Sequence, residues 1–148
     1  MADIGFNPVA LRHDRVVGGV ATETGIKFGD VVIMDVASTN QFRAVKCTTT
    51  AGDKPVRGVC VSQTDPTIGS SVGDNLEICD VGQPEVWLAT SQTIVKGDRL
   101  VTSTEAGRVK KLAAETGGDI VGVAAQDAVS TGSPIRIAVT LHAPFERI

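Results

Sequence analysis

Ile26-Lys27-Phe28-Gly29-Asp30-Val31-Val32 and Ile94-Val95-Lys96-Gly97-Asp98-Arg99-Leu100 share one pattern: an aliphatic residue, two variable positions, Gly-Asp, then the opening of a strand. Gly supplies the positive φ that a tight turn needs. Asp bonds back to its own backbone, so the next strand starts in register. Reading outward, each copy leads through a loop to a short basic run, Arg43-Ala44-Val45-Lys46 or Arg108-Val109-Lys110-Lys111. A Thr/Gly/Asp loop follows (48–53, then 116–119). Next comes a glycine-centred apolar run, Val56-Arg57-Gly58-Val59 or Ile120-Val121-Gly122-Val123. Gln63-Thr64-Asp65 and Gln126-Asp127 come after these, and an alternating strand closes each half, Leu76 to Val81 and Ile135 to Leu141. The offset falls from 68 residues at the turn to about 58 at the end, with element order preserved. The pattern reads as a duplicated β unit of roughly 60 residues, and two such units could close against and cover each other's edges.

The expected fold is therefore all-β, a barrel or sandwich built from that duplicated unit, preceded by an irregular N-terminal arm. Short β-branched runs at Val31–Met34, Phe42–Lys46, Val56–Val61, Leu76–Val81, Val86–Ala89, Arg99–Val101, Arg108–Leu112, Ile120–Val123 and Ile135–Leu141 are the predicted strands, with period-two alternation over Phe42–Lys46, Leu76–Val81 and Ile135–Leu141. Gly58 and Gly122 fall inside strand patterns, which marks bulges or close backbone approach. One helical turn is expected over Lys111–Glu115. The division is an arm at 1–19, a β domain at 20–142 with halves near 20–82 and 83–142, and a tail at 143–148.

Composition narrows the function. A net charge of −3 with scattered Lys and Arg, one Trp, no Tyr and four Phe gives no basic track and no stacking platform, so nucleic acid is not an expected partner. No apolar window reaches the ~18 residues of a spanning helix, and the N-terminus lacks a secretory pattern, so synthesis in a cytoplasm is expected. Cys47, Cys60 and Cys79 are odd in number and widely spaced, which fits buried apolar residues better than disulfides or a zinc site. His13 and His142 lack ligands at metal spacing, and no cofactor is expected.

Gly69-Ser70-Ser71-Val72-Gly73 fits G-x-S-x-G, with Asp119 or Asp127 and His142 following in hydrolase order. That chemistry requires a strand before the serine and a helix after it. The flanks here read as a loop running into a strand, so the expectation is a protein that is not an enzyme. Surface residues then carry the interest. Trp87 is a core filler or a subunit-interface anchor. Ile4, Phe6 and Pro8 in the arm and Phe145 in the tail are apolar residues outside the repeats, which need either their own subunit or a partner to cover them.

The ordered set Val17-Gly18-Gly19-Val20, Gly29-Asp30-Val31-Val32, Gly97-Asp98-Arg99-Leu100, the paired Val-Gly-Val runs, Trp87-Leu88-Ala89 leading into Ile94-Val95-Lys96-Gly97-Asp98, and Gly132-Ser133-Pro134-Ile135-Arg136-Ile137-Ala138-Val139 resembles the small capsid decoration, or head-stabilising, proteins of tailed bacteriophages. The resemblance implies a cofactor-free β fold that binds the outside of an icosahedral head. It also implies frequent assembly as a homotrimer and reinforcement of the major capsid protein lattice, hence a place on the virion exterior after synthesis in the host cytoplasm. Ile4, Phe6, Pro8, Trp87 and Phe145 are then candidate capsid or subunit contacts. The competing expectation is a non-enzymatic carbohydrate-binding β module on a virion or cell surface, for which exposed aromatics are scarce.

Overall fold

The computed structural model describes residues 11–38, 43–50, 55–113 and 119–147, with no account of the side chains of 142–144, 146 and 147. Twelve strands and no helix occur among the described residues: β1 (Arg12–Ala21), β2 (Val31–Met34), β3 (Ala44–Cys47), β4 (Val56–Cys60), β5 (Asn75–Gln83), β6 (Glu85–Leu88), β7 (Thr93–Ile94), β8 (Arg99–Thr102), β9 (Val109–Lys111), β10 (Asp119–Ala124), β11 (Ala128–Val129) and β12 (Ile135–Arg147). They close into two five-stranded barrels of one topology, β1-β3-β2-β4-β5 and β10-β12-β6-β9-β8, while β7 and β11 form a small ribbon. In each barrel the first strand runs parallel to the third, β1 to β3 and β6 to β9, and every other pairing is antiparallel. The all-β fold made from two similar units is thus present, in its barrel form. Only Pro84 lies between β5 and β6.

The two Gly-Asp turns are superposable in their bonding. Asp30 N–H donates to the Lys27 carbonyl at 3.0 Å and Asp98 N–H to Val95 at 2.9 Å. The Asp carboxylates accept from the Lys27 and Val95 amides at 2.8 and 2.9 Å. Gly29 and Gly97 sit at φ 92° and 97°, where a side chain is strained. Buried Ser70 and Ser130 correspond in the same way, each accepting from a backbone amide and donating to a carbonyl further upstream. Gly58 and Gly122 are the close approaches that the sequence marks. A Cβ on either would stand 2.4 Å from the Cys79 carbonyl oxygen or 2.3 Å from that of Thr140, and the strand registers shift beside both.

Strand alternation splits the core in two. Ala21, Ile26, Val32, Val45, Cys60, Leu76 and Ile78 fill the first barrel. Their partners in the repeat, Leu88, Ile94, Leu100, Val109, Ala124, Ile137 and Val139, belong to the larger cluster. That cluster also takes in the opposite faces of β2 and β4, through Val31, Ile33, Val56, Val59 and Val61. Apolar burial therefore continues from one barrel into the other. All three cysteines are free and buried, Cys47 and Cys60 in the first barrel and Cys79 in the shared core.

Three expectations need correction. Residues 12–19 are strand and not part of an irregular arm, since β1 starts at Arg12. Its first five residues are exposed, so no alternation marks them; pairing with β5, from Arg12 opposite Gln83, makes them a strand. The tail from 143 is largely strand as well, since β12 continues to Arg147 opposite Asp119. Lys111 belongs to β9 instead of a helical turn, paired with Leu100, while 114 and 115 lie outside the described residues. The strand prediction at Phe42 also lies outside them.

Candidate functional site

The two halves meet where the first Gly-Asp turn is covered by the first strand of the second barrel. Trp87 N–H donates to the Gly29 carbonyl and its indole Nε1–H to the Phe28 carbonyl, both at 3.0 Å. Arg136 is paired with Trp87 across β12 and β6. Its guanidinium carbon stands 5.3 Å from the Phe28 ring centroid and 5.4 Å from that of Trp87, within range of cation–π attraction to both. The closure is tight: a methyl on Gly29 would meet Trp87 Cδ1 at 3.1 Å and Arg136 Cδ at 3.3 Å. A groove of about 590 Å³ opens here, lined by Lys27, Phe28, Gln63, Thr64, Pro66, Trp87 and Arg136. A second hollow of about 440 Å³ shares Lys27, Pro66 and Trp87 and extends past Asp30, Cys47 and Arg108.

Charge is distributed unevenly along this seam. Arg136 meets Glu85 through Nε at 3.4 Å, while Lys27 has no ion pair among the described residues. Asp30 lies beneath at 8% exposure, bonded to the Lys27 amide and 3.5 Å from Cys47 Sγ. Burial pushes its carboxyl up to about 6, against the pull of the Lys27 amide, the Cys47 thiol, and the Lys27 and Arg108 charges. Burial likewise pushes the Cys47 thiol up, helped by the negative charge of Asp30 and Glu23. Such a thiol stays protonated and is a poor nucleophile.

The loop between β8 and β9 clamps the far side. Val31 N–H donates to the Gly107 carbonyl at 2.8 Å and Gly107 N–H to Thr48 at 2.9 Å. Glu105 in that loop pairs with Arg108 and accepts from Thr90. Burial opposes its charge but is outweighed by these bonds, and its carboxyl is held low. Further along, Asp119 at the start of β10 accepts from the Val56 amide at 2.9 Å. The seam is stitched both by backbone pairs, Trp87 to Gly29 and Val31 to Gly107, and by the Trp87 indole and the Asp119 carboxylate.

Of the sequence-predicted contacts, Trp87 is at the centre of the seam and half-buried. Phe145 is half-buried against the shared core, well placed as packing. Ile4, Phe6 and Pro8 lie outside the described residues. Ser71 occupies a third Gly-Asp turn, its N–H on the Asp74 carboxylate at 2.8 Å and its carbonyl taking the Asp74 N–H at 3.1 Å, with β5 next. Strand follows that serine where an elbow would have helix. His13 is exposed on β1, opposite Gly82. No group of three or more His, Cys, Asp or Glu is gathered for a metal among the described residues.

Phe28, Lys27 and Arg136 were missed, yet a signal for them existed. Aligning the repeats by register puts Phe28 at the position of Lys96, Trp87 at that of Val20, and Arg136 at that of Asn75. The seam is built where the two copies differ. No protein-family model matches the chain, and no curated protein shows significant similarity to it.

Proposed function

We propose that this chain is a structural virion protein that binds the outer surface of a phage head and stabilises the capsid lattice as a homotrimer. The observation that carries the reading is a double barrel with one continuous core that presents apolar side chains to solvent from its loops and from β11. Val36, Ile68, Val72, Val95 and Val129 are 56–67% exposed. Rigid modules with outward apolar residues are suited to adhesion, since little is lost in ordering them on contact. The sequence resemblance to head-stabilising proteins points the same way.

The mechanism is cross-bridging of major capsid protein subunits. A module that touches two or three neighbours binds only the assembled lattice, so mass action favours that state. Three linked copies multiply weak contacts into avidity. The reading is non-enzymatic and places the protein on the capsid exterior after synthesis in the host cytoplasm. The carbohydrate alternative has less behind it, because the Trp87 ring that would stack on a sugar already lies beside Arg136.

Light scattering on the purified chain, followed by co-sedimentation with heads lacking it, tests the proposal. A trimer that pellets with heads and raises their resistance to heat is the expected result. A strict monomer that stays in the supernatant overturns it.

A further inference from the structure

We infer that the groove at the seam is a docking site for an extended, acidic and apolar peptide segment of a partner protein. The inference deepens the head-binding reading and rests on it for the partner's identity as a capsid protein. Three observations converge on that chemistry.

The first is charge. On a chain of net charge −3, this groove carries two cations, Lys27 and Arg136, on its rim. Lys27 has no ion pair among the described residues. Arg136 uses only Nε, at 3.4 Å, on Glu85. The terminal nitrogens of a guanidinium form a fork that fits a carboxylate, and stacking between two rings holds that fork in orientation. Of the nearby carboxylates, Glu85 is already paired with Arg136, Asp30 is buried beneath the turn, and Asp65, which feels the Lys27 charge, spends Oδ1 on the Thr67 and Ile68 amides.

The second is the lining between the charges. Phe28, Trp87 and Pro66 give an apolar wall, and the exposed Gln63 adds an amide able to bond a peptide backbone. The third is shape. The groove and its neighbouring hollow meet at Lys27, Pro66 and Trp87, which makes a trough and not a round pocket. A trough with cations along it fits a chain of alternating acidic and apolar residues better than a compact ligand. A neutral glycan would want an open aromatic face, and Arg136 occupies the approach to both rings.

Trp87 is the chain's only tryptophan, so its emission reports the groove directly. The probe is an acetylated decapeptide alternating Asp and Leu around a central Pro, titrated into the intact protein. Its Lys/Leu counterpart and a polyglucuronate serve as comparisons. The acidic peptide is expected to shift or quench Trp87 emission saturably, and to lose affinity as salt rises. Lys27→Glu is expected to weaken it about tenfold or more. Arg136→Gln, which keeps a planar polar group, covers the case in which charge reversal disturbs folding. Equal response to the Lys/Leu peptide, binding of polyglucuronate instead, or undiminished binding in a folded Lys27→Glu variant would each overturn the inference. The variants are also sedimented with heads. Wild type that pellets without any peptide response sinks the groove and spares the head-binding reading; peptide binding by a chain that ignores heads does the reverse.

Discussion

Replacing Asp30 by Asn removes a buried charge while keeping an oxygen that can accept from the Lys27 amide. Asp30 is 8% exposed and its carboxyl is raised from the ordinary 3.8 to about 6, mainly by burial. Ionising it inside the fold therefore costs about 3 kcal/mol more than in the unfolded chain. Relaxation and the partial loss of the thiol contact reduce the gain from Asn, so Asp30→Asn is expected to stabilise the protein by about 1–3 kcal/mol at pH 7.5. At this chain length each kcal/mol moves the midpoint by about 2–4 °C. The pH dependence has a definite sign. Below 3.8 both states are protonated and the penalty is absent. As pH rises from 3.8 towards 6 the unfolded chain has released its proton while the folded chain still holds it, so Asp30's contribution to stability falls. Above about 6 the loss is complete and level. The advantage of Asn over Asp should thus be near zero at pH 4 and greatest above pH 7. Urea unfolding of both proteins at pH 4, 5, 6 and 7.5 measures this. Asp98→Asn, in the twin turn, is the comparison at a more exposed carboxylate, where the ion pair to Lys111 at 3.4 Å is lost as well. A variant weaker than wild type at pH 7.5, or an advantage equal at pH 4 and 7.5, would refute the reasoning.

Gly122→Ala should cost about 2–4 kcal/mol, because its Cβ would lie 2.3 Å from the Thr140 carbonyl oxygen and the strands must part to admit it. Gly58→Ala should cost at least as much, whereas Gly132→Ala, with nothing within 4 Å, should change the melting temperature little. Ser130→Ala leaves the Gln92 amide and the Ala89 carbonyl without their shared hydroxyl and should lose about 1–3 kcal/mol by denaturant titration. A neutral result there would mean that water replaces the hydroxyl without loss. All three thiols should resist Ellman's reagent at pH 8 until denaturant is added, since burial hides Cys47, Cys60 and Cys79 and raises each. Fast labelling of the native chain would contradict the packing.

The repeat was legible because its turns are chemically demanding. Few residue pairs other than Gly-Asp give both the left-handed position and the carboxylate cap, so Lys27–Asp30 and Val95–Asp98 announce themselves. Gly58 and Gly122 were legible for a related reason, as residues that a strand accepts only where another backbone leaves no room. The start of β1 was not, because Arg12–Val16 are held by hydrogen bonds to β5 and bury too little to alternate. The seam was half legible. Trp87 stood out by rarity, but Phe28 and Arg136 look ordinary until register aligns them with Lys96 and Asn75. Sequence pattern records what the copies share, and this contact lies in what they do not.

The single proline between the fifth and sixth strands leaves no slack between the barrels. Its carbonyl is itself tied to the Val139 amide at 3.1 Å. A pull on one end of such a molecule cannot be absorbed by a hinge; it passes along the strands and loads the far barrel at once.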